Sequence, residues 1–326
     1  MSYSTLVSRK LDSTNCRSVP RIGIVLGDAQ RRETLRTVVE ARGLSVSYCG
    51  ELPRDGAVRV VGGEVDAWLT DEDVPLAMPS LDSQPPLVCR VGEAVDTPLW
   101  RSAVEHKLND LVRAYRQLCE ANRASKVWLL AASAGGLHAV RHFLAGLDAF
   151  YGVGFVYAQH IDAEQAEQLV KMIVRNTAWQ ARMARDGNLL TSGSVTVVPP
   201  QQRISLSRGL VATHNSGWPG PYAPSIDNVA AELASEYGSA CGMIVFSGLG
   251  DDGVAGSRLI RENGGSVLVQ SPADCTVPAL SEAVLKHGAF NHSGSVEQLR
   301  ESFIKLQSGG PRTSGAGFEG VVRGEK

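Results

Sequence analysis

The chain has 326 residues, length for about two domains, and its 32 basic and 34 acidic side chains leave a formal net charge of −2. So even a balance supplies no basic field for nucleic acid or an anionic lipid surface, and the apolar content argues against a largely disordered protein. The six cysteines are scattered without a C-x-x-C pair, and no apolar run approaches the roughly 20 residues of a membrane span, so the sequence reads as a reduced, cytoplasmic protein without direct membrane insertion.

Residues 1–20 read as a flexible N-terminus. From Arg21 to about residue 95, short apolar runs alternate with helical patterns. "RIGIVLGD" predicts a buried strand, "AQRRETLRTVVEARG" a helix with apolar positions at Leu35, Val38 and Val39, and "LSVSYCG", "VDAWLTD" and "PPLVCRVG" three further strands. Over 96–123, Trp100, Val104, Leu108, Leu111, Val112, Tyr115 and Leu118 fall on one helical face, which predicts a helical linker. A second α/β series occupies 124–307: "KVWLLAAS", "GVGFVYAQH", "GMIVFSGLGDDG" and "GSVLVQS" as strands between helices, with "GSVTVVPPQQRISLSRGLVAT" as a Pro-containing hairpin. The Gly/Ser-rich residues 308–326 read as a disordered tail. The expected fold is two doubly wound parallel-sheet domains joined by that linker, the C-terminal one Rossmann-like with an added antiparallel hairpin.

In the second domain three strands end at reactive side chains: Ser133 after "VWLLAA", His160 after "FVYAQ", and Asp251 and Asp252 after "MIVFSGLG". Parallel neighbouring strands would open all three onto one sheet edge. A serine hydroxyl is a poor nucleophile until an imidazole takes its proton, and the imidazole needs a carboxylate to fix its tautomer and balance its charge. The glycines around both turns leave backbone N–H groups free to face a developing oxyanion. Each residue also has a structural reading: Ser133 as a helix N-cap, His160 as a packed or surface histidine, Asp252 as a turn residue before Gly253, with Asp251 the alternative carboxylate. His138 and His142, four apart on a helix, have a zinc-compatible spacing but lack a third ligand, and "SAGG" lacks the lysine of a phosphate-binding loop.

The order of these motifs resembles the catalytic domain of CheB-type chemoreceptor glutamate methylesterases. "ASAGG" is similar to the family's nucleophile turn, "AQHI" to its Gln-His-Met segment and "SGLGDDG" to its Thr-Gly-Met-Gly-x-Asp-Gly; "GSVTVVPPQQRISL", "PSID" and "ENGGSVLVQSPADC" follow in matching order. The resemblance implies Ser133 as nucleophile, His160 as general base, Asp252 as orienting carboxylate, and the backbone N–H groups of Ala134 and Leu249 as oxyanion donors. It implies hydrolysis of γ-glutamyl methyl esters on the cytoplasmic helices of methyl-accepting chemoreceptors, with release of methanol, along with deamidation of receptor glutamines. It implies no metal and no organic cofactor. A chemosensory histidine kinase is a further expected partner.

This sequence departs from the family pattern at Ala134, at Leu249, and at Pro278–Ser281, where the family has Tyr-Gly-Met-Pro; the first two changes preserve the backbone donors. The first domain resembles a response-regulator receiver. Asp28 matches one of its paired acids, but the neighbour is Gly27; Asp71 falls at the phosphoacceptor position, and no strand with a terminal lysine follows "VCRVG". The expectation is a degenerate receiver with impaired phosphorylation, since a phosphoryl group needs Mg²⁺ and a cationic partner, in a chemosensory system outside flagellar swimming, such as one governing pili. The competing functions are a catalytically silent receptor- or kinase-binding adaptor of the same fold, and a serine hydrolase of small esters.

Overall fold

The structure is a computed structural model describing residues 16–51, 65–70, 87–91, 97–149 and 152–308. Asp71 and the tail beyond residue 308 lie outside the described residues, as do residues 1–15 of the expected flexible N-terminus.

The N-terminal region contains β1 (Arg21–Val25), α1 (Ala29–Glu40), β2 (Ser45–Gly50), β3 (Ala67–Thr70), β4 (Leu87–Arg90) and α2 (Pro98–Ala121). The strands form one sheet in the order β2-β1-β3-β4, parallel throughout. The alternate strand residues Ile22, Ile24, Ala67 and Leu69 face a shared core with Leu35 and Val39 of α1 and with Trp100, Val104, Leu108 and Leu111 of α2.

Helix α2 therefore differs from a plain linker. Thr97 caps it and Pro98 opens it. The Trp100 indole N–H then donates to the Val91 carbonyl at 3.2 Å, which anchors the first turn to the sheet. Its 24 residues extend about 36 Å at 1.5 Å per residue, and the apolar stripe changes partner on the way. Tyr115 and Cys119, one turn apart, pack with Cys16 and Leu189, and the Tyr115 hydroxyl accepts the Arg17 amide at 2.9 Å. The first part of the helix completes the N-terminal core, and the last part is buried against the C-terminal domain.

That domain comprises β5 (Lys126–Ala132), α3 (Gly136–Ala145), β6 (Val153–Gln159), α4 (Ala163–Asn176), β7 (Gln180–Met183), β8 (Ser194–Val197), β9 (Arg203–Ser207), β10 (Leu210–His214), α5 (Ile226–Tyr237), β11 (Cys241–Val245), α6 (Val254–Glu262), β12 (Ser266–Gln270), α7 (Ala279–His287), β13 (His292–Gly294) and α8 (Val296–Gln307). Seven strands form a sheet in the order β13-β12-β11-β5-β6-β8-β7, and every pair is parallel. The central strand shows why the sequence is a continuous apolar run. Val127, Leu129 and Ala131 join a core with α5, α6 and α7, while Trp128, Leu130 and Ala132 join a second core with α3, α4 and α8. A parallel strand covered by helices on both faces has no polar side to display.

The predicted hairpin is corrected in part. Ser194–Val197 enters the main sheet as β8, and only β9 and β10 form the antiparallel pair. The short edge strands β7 and β13 have no counterpart among the predicted elements. Strand order reverses at β5: the chain first builds β6, β7 and β8 on one side of it and then crosses back to place β11, β12 and β13 on the other. In open α/β sheets the crevice beyond the strand C-termini at such a reversal is where ligands bind.

Candidate active site

Ser133 follows β5 directly and is 7% exposed. The N-cap of α3 is Gly135, in the left-handed conformation with φ 76°, so the Ser133 side chain does not cap the helix. A β-carbon on Gly135 would come within 2.7 Å of Thr276 Cβ and 2.9 Å of Ser247 Oγ, which is why the turn needs glycine on both steric and conformational grounds. The Ser133 backbone is held from both sides: its amide donates to the Ser247 carbonyl at 3.1 Å, and its carbonyl accepts the Gln159 side-chain amide at 2.8 Å. Gln159, 5% exposed, in turn accepts the Tyr157 hydroxyl at 2.7 Å; burial pushes the Tyr157 phenol up, keeping it a neutral donor.

His160 lies beside the serine because of strand register. Ala132 pairs with Gln159 across β5 and β6, and the His160 amide donates to the Ala132 carbonyl at 3.1 Å. Ser133 and His160 are thus the next residues on two strands about 4.8 Å apart.

Asp252, 3% exposed, lies in the turn after β11. His160 Nε2 donates to its Oδ2 at 2.9 Å. Oδ2 also accepts the Ile226 amide at 2.7 Å, and Oδ1 accepts the Asp227 amide at 2.9 Å and the Ser225 hydroxyl at 3.3 Å. Those donors form the first turn of α5, so the buried carboxylate sits where the helix dipole and unpaired N–H groups favour an anion. This arrangement gives the "PSID" stretch its role: its N-cap and first two amides seat Asp252. Asp227 accepts the Gly256 amide at 2.7 Å, and burial raises its carboxyl. The sequence marks "PSID" only as a motif and does not disclose the parts taken by Gln159, Ser247 or Tyr222.

Asp251, the alternative carboxylate, makes no hydrogen bond to the imidazole among the described residues; it accepts the Tyr222 hydroxyl at 2.9 Å. The turn carrying Leu249 lies against the serine, since a β-carbon on Gly248 would fall 2.7 Å from Ser133 Cβ. Among the described residues the amides of Ala134 and Leu249 make no hydrogen bond. Beside the imidazole a cleft of about 620 Å³ opens between His160, Gln165, Gln201 and Tyr222.

The other candidates are occupied differently. His142 pairs with Glu297 of α8 at 2.5 Å, and His138 contacts Arg141 at 3.0 Å. At the first sheet, Asp28 caps α1 by accepting the Arg31 amide at 2.7 Å. Nearby, Arg32 bonds the Leu26 carbonyl and pairs with Glu51.

A doubly wound parallel α/β domain with a serine, a histidine and a buried aspartate gathered at its strand-order reversal belongs to the structural class in which hydrolases of the Ser-His-Asp kind are found. The family model of the CheB methylesterase matches residues 128–303, and the chain belongs to that family. Among curated relatives, "Protein-glutamate methylesterase/protein-glutamine glutaminase 3" of Anaeromyxobacter dehalogenans (strain 2CP-C) is 34% identical over 165 residues, 50% of this chain and 48% of the relative. "Putative protein-glutamate methylesterase/protein-glutamine glutaminase" of Leptospira interrogans is 27% identical over 180 residues, 55% of this chain and 93% of its own. The crystal structure of the Thermotoga maritima CheB methylesterase catalytic domain superposes with a TM-score of 0.52 at 20% identity, over 56% of this chain and 98% of that one, and supports the fold. The chain spans about half the length of the first curated relatives it matches.

Proposed function

We propose that this protein is a protein-glutamate methylesterase acting on methyl-accepting chemoreceptors. The observation that carries the reading is the Ser133, His160 and Asp252 arrangement: two adjacent strand ends supply hydroxyl and imidazole, and a buried carboxylate holds the imidazole from behind. Because Asp252 engages Nε2, Nδ1 is the nitrogen left to take the serine proton. Ser133 Oγ attacks the γ-carbonyl of a glutamyl methyl ester while Nδ1 receives its proton. The amides of Ala134 and Leu249 face the oxyanion, Nδ1 gives the proton to the departing methoxide oxygen, which leaves as methanol, and water then cleaves the acyl-enzyme by the same route. The Ser133–His160 hydrogen bond is not formed among the described residues; such bonds tighten when substrate binds. The same attack on a γ-carboxamide would release ammonia, in keeping with the glutaminase half of the relatives' names.

The N-terminal sheet, parallel in the order β2-β1-β3-β4, supports a receiver-like domain whose phosphorylation is impaired, with Asp28 spent on capping α1. A chemosensory histidine kinase is the partner such a domain would meet. No described helix is long and apolar enough to cross a membrane.

Incubation with a receptor cytoplasmic fragment carrying radiolabelled methyl esters tests the reading. Wild type should release methanol, and Ser133→Ala should lower release on the order of 10⁴-fold. No release by wild type would favour the silent adaptor. Turnover of generic esters alone would favour a small-ester hydrolase.

A further inference from the structure

We propose that Tyr222 and Asp251 form a positioning clamp for His160, with the phenol ring covering one face of the imidazole and Asp251 holding the phenol in place. The proposal rests on the methylesterase reading for its kinetic consequence, but its geometry stands independently. The two rings stack with centroids 5.0 Å apart and planes 10° from parallel, and the Tyr222 hydroxyl donates to Asp251 Oδ1 at 2.9 Å. That donation pushes the phenol up and keeps it protonated. Gly250 makes the contact possible: its φ is 83°, and a β-carbon there would stand 2.6 Å from the Tyr222 oxygen.

The clamp answers a mechanical need. The single hydrogen bond from Nε2 to Asp252 holds the far end of the imidazole, close to the axis about which the ring rotates on its Cβ–Cγ bond. Rotation about that axis moves Nε2 less than Nδ1, and Nδ1 is the nitrogen that must meet the Ser133 proton. A ring stacked on the imidazole face resists that rotation. The adjacent acids would then divide the orientation of the imidazole between them. Asp252 fixes the ring within its plane, and Asp251, through Tyr222, fixes the plane itself. Stacked π-density also favours the positive charge the imidazole gains during acyl transfer.

The test uses the full chain and four variants: Tyr222→Ala, Tyr222→Phe, Asp251→Ala and the Phe/Ala double variant. A misplacement of about 1 Å can cost on the order of 100-fold, so Tyr222→Ala should lower kcat for methanol release by about 10- to 100-fold with a smaller change in KM. Tyr222→Phe, which keeps the ring, should recover most of that loss. Tyr222→Phe and Asp251→Ala should cause equal partial losses, and the double variant should be no worse than either, because both remove the same link. In NMR spectra the His160 ring protons should carry the upfield shift of a stacked aromatic, retained in Tyr222→Phe and lost in Tyr222→Ala. The clamp is overturned if Tyr222→Ala keeps its kcat, if the loss falls on KM alone, or if the His160 resonances do not move. Absence of methanol release by wild type would instead defeat the methylesterase reading, and the His160 resonances would still decide the clamp.

Discussion

The two parallel sheets place acidic residues at comparable positions and use them differently. Asp28, just beyond β1, is exposed and accepts an amide of its own helix. Asp252, beyond β11, is buried and accepts from His160 and from the first turn of a helix that begins 26 residues earlier in the chain. A carboxylate at a strand end is available for the proposed chemical role when an imidazole is among the distant donors aimed at it; served only by its own turn, it is a cap. A buried acid of the N-terminal region, Asp66 just before β3, marks a third case. Asp66 is held by the Arg21 amide at 2.8 Å and by its guanidinium at 3.1 Å, which closes a structural ion pair.

Four substitutions sharpen or break that contrast. The largest effect is expected for Asp252→Asn, which keeps the shape but turns an acceptor-only group into one with its own N–H donors; kcat for methanol release should fall about 10⁴-fold, with the Ser133 environment otherwise intact. A loss below about tenfold would mean that the carboxylate does not orient the imidazole. Next is Gly248→Ala, whose new methyl would press on Ser133 Cβ at 2.7 Å and on Leu280 Cδ2 at 2.8 Å. A displaced Ser133 should lower kcat on the order of 100-fold, and an unchanged rate would show that the turn yields without moving the serine. Asp28→Ala should cost about 1 kcal/mol of stability through the lost cap, measured by denaturant unfolding, while methanol release stays at the wild-type rate. A large catalytic loss there would erase the distinction between the two sheets.

The smallest effect concerns Glu297. Its bond to His142 holds its carboxyl down at about 2, against about 4.3 for a free glutamate. A depressed carboxyl stabilises the fold above the unfolded value and loses that contribution as pH falls through the folded one. Glu297→Gln should therefore melt slightly below wild type at neutral pH, and the gap should close between about pH 4 and about pH 2. A gap that persisted at the acid end would place its origin elsewhere than in ionisation.

What the sequence discloses follows from how local each signal is. "VWLLAA" reads as a strand because both faces of β5 are buried, and Ser133 stands out because the apolar run stops there. The edge strands β7 and β13, four and three residues long, have one neighbour each and no apolar run to mark them. The periodicity of α2 is visible, but not the change of partner from Trp100 to Tyr115, because an apolar stripe does not name what covers it. Tyr222 is invisible for the same reason. It sits in a Pro- and Gly-rich loop, and its place over His160 depends on a turn well further along the chain, at Gly250. The proposed nucleophile and base, Ser133 and His160, can be read from the ends of two strands; the groups that hold them in place exist only after folding.

Covalent labelling tests most directly whether Ser133 is a nucleophile activated by His160. Treatment with a fluorophosphonate, which bonds to an activated serine oxygen with loss of fluoride, followed by peptide mass spectrometry, should find the adduct on Ser133, and His160→Gln should slow its formation by at least about 100-fold. An unlabelled Ser133, or labelling at the wild-type rate without His160, would contradict the account.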